Sequence, residues 1–272
     1  MSNFRKPAKS GQDHLNPIRI SHSQIIRPSA FPFLIAIVGG SGSGKTWLAE
    51  KLLAILRGKA AHLSLDDFYR DRSHLSPARR AKLNFDNPAG IDWSAFHRVI
   101  RNCFHGRETR IPGYDFKTHC RLNRGRTFKP NPIILVDGLW VLRRPALRRL
   151  FRLRIFLECP VRTRLRRRLA RDLRSRGRTR ASVTAQFWKT VEPMHRKFVL
   201  PQRRWADVIL RGKWDARQIE QLAANLRSFL KSAVSGPPPK PGRTSSTSPK
   251  STNRRQRLRI VELACGIAHE SG

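Results

Sequence analysis

The segment Gly39 to Thr46 reads GGSGSGKT and fits the spacing G-x-x-x-x-G-K-[ST]. It stands directly between an apolar run, FLIAIV at 33–38, and a helix-compatible segment, TWLAEKLLAILR. A loop of this kind needs a strand before it and a helix after it, so the chain has to build an α/β layer around that junction. The chemistry follows from the residue types. Glycines let the loop fold back so that successive N–H groups point at phosphate oxygens, and the helix N-terminus adds positive dipole. Gly39, Gly40, Ser41, Gly42, Ser43 and Gly44 form the cradle, Lys45 reaches the β and γ phosphates, and the Thr46 hydroxyl is offered to Mg²⁺.

Further short apolar runs alternate with helical patterns: HLSL at 62–65, PIILV at 132–136, RIFL at 154–157 and DVIL at 207–210. With FLIAIV they predict a parallel central sheet flanked by helices on both faces, a P-loop NTPase fold with right-handed crossovers. Asp137 ends the run IILVDG and is the candidate second magnesium anchor, with Asp66, after the run LSL, another.

The domain is predicted over 31–231. Residues 1–30 read as a disordered basic arm, and 232–272 as a mostly disordered tail rich in Pro, Ser and Thr, neither able to bury enough apolar surface to offset its ordering entropy. The formal charge is +38, from 56 Lys plus Arg against 18 Asp plus Glu. The excess persists in the central domain, which therefore either handles phosphates or reflects an Arg-biased proteome, and it implies non-specific attraction to polyanions. The four cysteines form neither CxxC spacing nor a paired framework, which fits a reducing cytoplasm, and no apolar stretch approaches the roughly 20 residues a membrane span requires.

The loop does not say what is done with the nucleotide, because motors, switches and kinases share it. Read with it in order, DDFY at 66–69, NFDNP at 84–88, IPGYDFKTHCR at 111–121, Asp137-Gly138 and RDLRSRGR at 171–178 resemble the uridine kinase family, within the phosphoribulokinase/uridine kinase group of P-loop kinases. The resemblance spans about Phe33 to Asp215 and implies a small β-hairpin and a helical lid added to the sheet. It implies ATP, or GTP, with Mg²⁺, and a small-molecule nucleoside phosphorylated at its 5′-hydroxyl in pyrimidine salvage. Asp66 is then the catalytic proton acceptor beside the metal, and Asp86 the contact to the ribose hydroxyls. Tyr114, Phe116 and His119 hold the base. Arg168, Arg171, Arg176 and Arg178 belong to the lid, with Arg171 and Arg176 catalytic and Arg168, Arg178 and Gln186 on the substrate. Asp215 aligns with an adenine-side residue.

Several departures from the family pattern bear on the choice of nucleoside. Asp137 stands where Glu is usual, Asn87 where His is usual, and Asp67 adds a charge expected to raise the pKa of one of the Asp66–Asp67 pair. Gly113 is expected to loosen the hairpin. A sister kinase for a phosphopentose, pantothenate, glycerate or nicotinamide riboside is the nearest alternative, and a nucleic-acid-binding ATPase the one from another class. Oligomeric state, a homo-oligomer included, stays open.

Overall fold

The computed structural model describes residues 32–235 except Arg176 and Lys213. The arm at 1–30 and all but the first residues of the tail at 232–272 lie outside them. In chain order the strands are β1 (Phe33–Gly39), β2 (Ala60–Ser64), β3 (Thr109–Ile111), β4 (Tyr114–Asp115), β5 (Cys120–Arg121), β6 (Arg126–Phe128), β7 (Ile133–Gly138), β8 (Leu153–Glu158) and β9 (Val208–Arg211). The helices are α1 (Lys45–Leu56), α2 (Pro77–Ala81), α3 (Trp93–Phe104), α4 (Pro145–Arg148), α5 (Val161–Ser175), α6 (Arg180–Gln186), α7 (Glu192–Met194) and α8 (Ala216–Ser235). The chain stays helical from α6 through Trp205, with π-type turns at Phe187–Val191 and His195–Val199.

Five parallel strands form the central sheet in the order β2-β7-β1-β8-β9. All five apolar runs of the sequence lie in it. Every residue of β1 and β7 is buried, which explains why both read as unbroken apolar runs rather than as alternation: a parallel sheet is covered on both faces. Successive β1 side chains enter two different cores. Leu34, Ala36 and Val38 pack with Phe68, Phe96, Trp140 and Phe151 under α3, whereas Ile35 and Ile37 pack with Leu52 and Leu222 under α1 and α8. Helix α3 buries Ala95, Phe96, Val99, Ile100 and Cys103 along one stripe, and Asp92 starts it by accepting the N–H of Ala95 at 3.0 Å. Truncating a fully buried ring such as Phe96 to Ala is worth about 3–5 kcal/mol of stability.

The small hairpin consists of two separate two-stranded ladders, β3–β6 and β4–β5. Gly113 sits at the break between them: its carbonyl still accepts Leu122 N–H at 3.0 Å, and a Cβ there would meet the Leu122 side chain at 2.8 Å. Arg121 ties this hairpin to the segment after β2, donating to the Tyr69 carbonyl at 2.9 Å and to Asp92 at 3.0 Å.

Candidate active site

The β strands end together at one edge of the sheet, and that edge carries the polar residues. The loop from Gly39 to Thr46 leaves β1, Asp137 closes β7 in register with Ser64 of β2, and Asp66 lies on the single helical turn Leu65–Phe68 that follows. The loop needs its glycines here. Gly42 and Gly44 have φ of 79° and 99°, and a Cβ on Gly42 would overlap the Arg164 carbonyl oxygen. Gly39 is packed at the strand end against Ser43 and Leu157 rather than facing the cleft.

Lys45 folds back to donate to the Gly40 carbonyl at 3.1 Å. Burial pushes its ammonium below the ordinary lysine value, while the carboxylates of Asp137 and Asp66 pull it back up. Thr46 donates its hydroxyl to Asp137 Oδ2 at 2.7 Å, and His62 Nε2 lies 3.1 Å from Asp137 Oδ1. Burial opposes ionisation of Asp137, but the His62 contact, Lys45 and Thr46 together hold its carboxyl below the usual range. The shorter acid at this strand end is thus anchored by two neighbours, one of which, His62, the sequence reading did not single out.

Asp67 points away from the cleft and pairs with Arg126 at 3.2 Å. Its pKa is raised, as expected for one member of the pair, but the cause is burial, only partly offset by Arg126, rather than the neighbouring Asp66. Asn87 caps the turn Pro88–Gly90 by accepting Ala89 N–H at 2.9 Å. Asp215 likewise starts α8 by accepting Gln218 N–H at 2.8 Å, and the residue beside a second hollow is Trp214 instead.

A single cleft of about 1160 Å³ opens above this edge. It joins Ser41, Gly42, Gly44, Lys45 and Thr46 to Asp66, Asp86 and a set of aromatic rings. Tyr114 and Phe116 approach Tyr69 with centroids at 5.1 and 6.1 Å, and His119 stacks on Phe85 at 4.1 Å with planes 11° apart. Tyr69 is itself fixed by donating to the Phe85 carbonyl at 2.8 Å. The Tyr114 hydroxyl is buried with no hydrogen-bond partner, and burial drives its pKa upward. His119 takes a positive φ of 56°, a conformation held by the turn between β4 and β5. Phe85 stood inside the motif NFDNP, yet only its neighbour Asp86 was read from the sequence.

The far wall is α5. Arg168 is buried and donates to Ser41 Oγ at 2.9 Å and to Gln186 at 3.0 Å, with Asp86 at 3.8 Å. Arg178 also donates to Gln186 and to Ser182. Asp172, the only acid between residues 162 and 180, is fully buried among them: Arg171 lies at 2.8 Å, Arg168 at 3.4 Å and Arg178 at 3.9 Å. Three cationic side chains from one turn and the loop after it therefore converge on one carboxylate at the rim of the cleft. Asp172 is the D of the RD pair, and its isolation in an arginine run was the signal that would have found it. Arg176 lies outside the described residues.

Arg167, also unread, donates to the Ser43 carbonyl at 3.1 Å and borders a second hollow of about 430 Å³ with Trp47 and Trp214. Beneath the loop, Arg164 is paired with Glu192, and the Nδ1 of His195 lies 2.8 Å from where a Cβ on Gly40 would fall. Burial and the Arg164 charge drop the His195 pKa to about 4, with Glu192 opposing.

A glycine loop feeding a helix at the carboxyl edge of a parallel sheet, with an acid on the adjacent strand and an arginine-lined helix across the cleft, defines a P-loop kinase. The chain belongs to the phosphoribulokinase/uridine kinase family, which it matches over residues 34–216. It is 39% identical over 185 residues to a uridine kinase of Chloroflexus aurantiacus, covering 68% of this chain and 88% of that one. To a uridine kinase of Tolumonas auensis it is 36% identical over 203 residues, covering 72% and 95%. Among solved structures, phosphoribulokinase from Rhodobacter spheroides superposes with a TM-score of 0.52 at 18% identity, covering 67% of this chain and 70% of that one. A candidate fructose transport system kinase from Silicibacter sp. TM1040 superposes with 0.55 at 22%, covering 66% and 90%. At such identities these two likenesses concern the fold alone. No helix among the described residues is long and apolar enough to cross a membrane.

Proposed function

We propose that this kinase transfers the γ-phosphoryl group of ATP to the 5′-hydroxyl of uridine or cytidine, giving the nucleoside monophosphate and ADP. The observation that carries the reading is the continuity of one cleft from Lys45 and Thr46, past Asp66 and Asp86, to the rings of Tyr69, Phe85, Tyr114, Phe116 and His119. A ring cage suits an aromatic base. Ribulose 5-phosphate, glycerate and pantothenate offer none, so they leave this end of the cleft without a purpose.

The residues fit magnesium bound together with nucleotide phosphates. Thr46 and the ionised Asp137 supply one hydroxyl and one carboxylate, Asp66 stands in the same cleft, and the described residues hold no all-protein cage of three or more ligands. Bound there, the ion neutralises charge on the phosphates. The purine of the nucleotide enters the hollow between Trp47, Arg167 and Trp214.

Asp86 holds the ribose hydroxyls, and the cage orients the base so that the 5′-oxygen faces the loop. Asp66 accepts the proton as that oxygen bonds to the γ-phosphorus and the bond to the β,γ-bridging oxygen breaks. Lys45, Arg171 and Arg168 stabilise the charge that spreads over the phosphoryl oxygens. By covering the cleft, the α5 wall keeps out the water that would otherwise take the phosphoryl group.

Coupled ADP release with Mg-ATP tests this on a panel of uridine, cytidine, adenosine, nicotinamide riboside, ribulose 5-phosphate, glycerate and pantothenate, with Lys45→Ala as blank. Uridine- or cytidine-dependent turnover is expected. Selective turnover of a non-nucleoside would leave the phosphate chemistry standing and overturn the cage.

A further inference from the structure

Away from the cleft, two segments meet in a surface of one charge. Residues 139–157 and 193–206 contain no Asp or Glu. They are stitched together by the buried side chain of Gln202, which accepts Leu142 N–H at 3.0 Å and donates to the carbonyls of Leu139 at 2.8 Å and Phe198 at 2.9 Å. On this rigid seam cations sit on rings. Arg148 and Arg204 both lie over Trp205, at 3.9 and 4.4 Å; Arg143 and Lys197 both lie over Phe198, at 4.7 and 5.4 Å; Arg144 covers Trp93 at 5.2 Å.

None of these five forms an ion pair among the described residues. The nearby acids are already engaged, Asp207 with Arg154, Glu158 with Arg203 and Arg211, and Glu192 with Arg164 and Arg196. The crowding has a cost in the free protein: burial first, then the charges of Arg154, Arg204 and Arg149, depress the Arg148 pKa. Arg148 also donates to the Leu142 carbonyl at 3.2 Å; for the other arginines ring stacking fixes the guanidinium planes and leaves their N–H edges available to a ligand. Arginines held in place without acids offer donors that a row of phosphates would satisfy, and a second copy of the same face would meet like charge.

We propose that this surface binds the phosphodiester backbone of a nucleic acid, without reading its bases. The surface starts beside Leu139, which lines the cleft, and runs toward Arg154 near the start of β8, away from the strand ends that carry the loop, so a bound strand leaves most of the cleft open. Binding of this type is sequence-independent and steeply salt-dependent.

The test uses the full chain with excess ADP to occupy the loop. Fluorescence anisotropy follows a labelled oligoadenylate of roughly 20 nucleotides, its deoxy counterpart and vesicles rich in phosphatidylserine. The key variant is R143E/R144E/R149E, three exposed residues outside the cleft. It is expected to weaken binding of both oligonucleotides by at least about tenfold and to reduce the slope of log K against log salt by about 3, with uridine turnover and Tm unchanged. Equal binding by the variant would overturn the proposal, because the attraction would then come from other basic residues. So would vesicle binding without oligonucleotide binding. Should the triple variant fail to fold, R143Q/R149Q is expected to lower the slope by about 2, and an unchanged slope contradicts the surface equally well.

Discussion

At the phosphate end of the cleft, five residues of one short stretch, Ser41, Gly42, Gly44, Lys45 and Thr46, line the wall, and much of it is backbone. At the acceptor end the walls come from five separated pieces of chain, around Asp66, Phe85, Tyr114 to His119, Arg168 to Arg178, and Gln186. The first end is set by local conformation, since Gly42 and Gly44 take dihedrals that other residues reach only with strain. The second is set by packing, with rings that position one another and arginines collected by one acid. A change at the first end should therefore remove phosphotransfer for every acceptor, whereas a change at the second should alter which acceptor is taken.

Lys45→Ala gives the largest expected effect. Its kcat should fall about 10³-fold with every acceptor, while uridine affinity by calorimetry stays within about twofold. Loss of uridine binding in this variant would break the separation of the two ends.

Next comes the underside of the loop. The His195 pKa is held at about 4 in the folded chain, below an unfolded value near 6.5. Between those two pH values the unfolded chain takes up more protons, so this stabilisation is complete above pH 6.5 and is lost as pH falls toward 4, on the order of 3 kcal/mol in all. Denaturant melts at pH 7 and pH 4 check it, and His195→Gln should flatten the difference.

Asp172→Asn removes the charge that three arginines share. A fall of about 10- to 100-fold in kcat/KM is expected, chiefly in kcat, because the guanidiniums no longer converge on the rim. A merely structural role would lower Tm and leave the kcat of the folded protein unchanged. Phe85→Ala is the mildest: removal of the stack under His119 should raise the uridine KM about tenfold and leave the ATP KM alone.

The two ends also differed in how much could be read before the fold was known. The loop, the five sheet strands, α1 and α5 were legible because each is a contiguous pattern with its own period. Asp172 and Phe85 were not, because their importance lies in what packs around them: a carboxylate becomes a hub only when α5 and the loop after it bring Arg168, Arg171 and Arg178 to it. The arginine run of α5 resembles a solvated face until Arg168 is seen buried against Ser41 and Gln186. Asp67 carries the same lesson in reverse. A neighbour in sequence pointed elsewhere, and its shifted pKa came from burial instead of from Asp66.

The most direct test of the central claim, that one cleft carries phosphate from the loop to a caged nucleoside, is phosphorus NMR of the products formed from uridine and Mg-ATP. Uridine 5′-monophosphate should appear in equal amount with ADP. ADP accompanied only by inorganic phosphate, or phosphate on a hydroxyl other than the 5′, would contradict it.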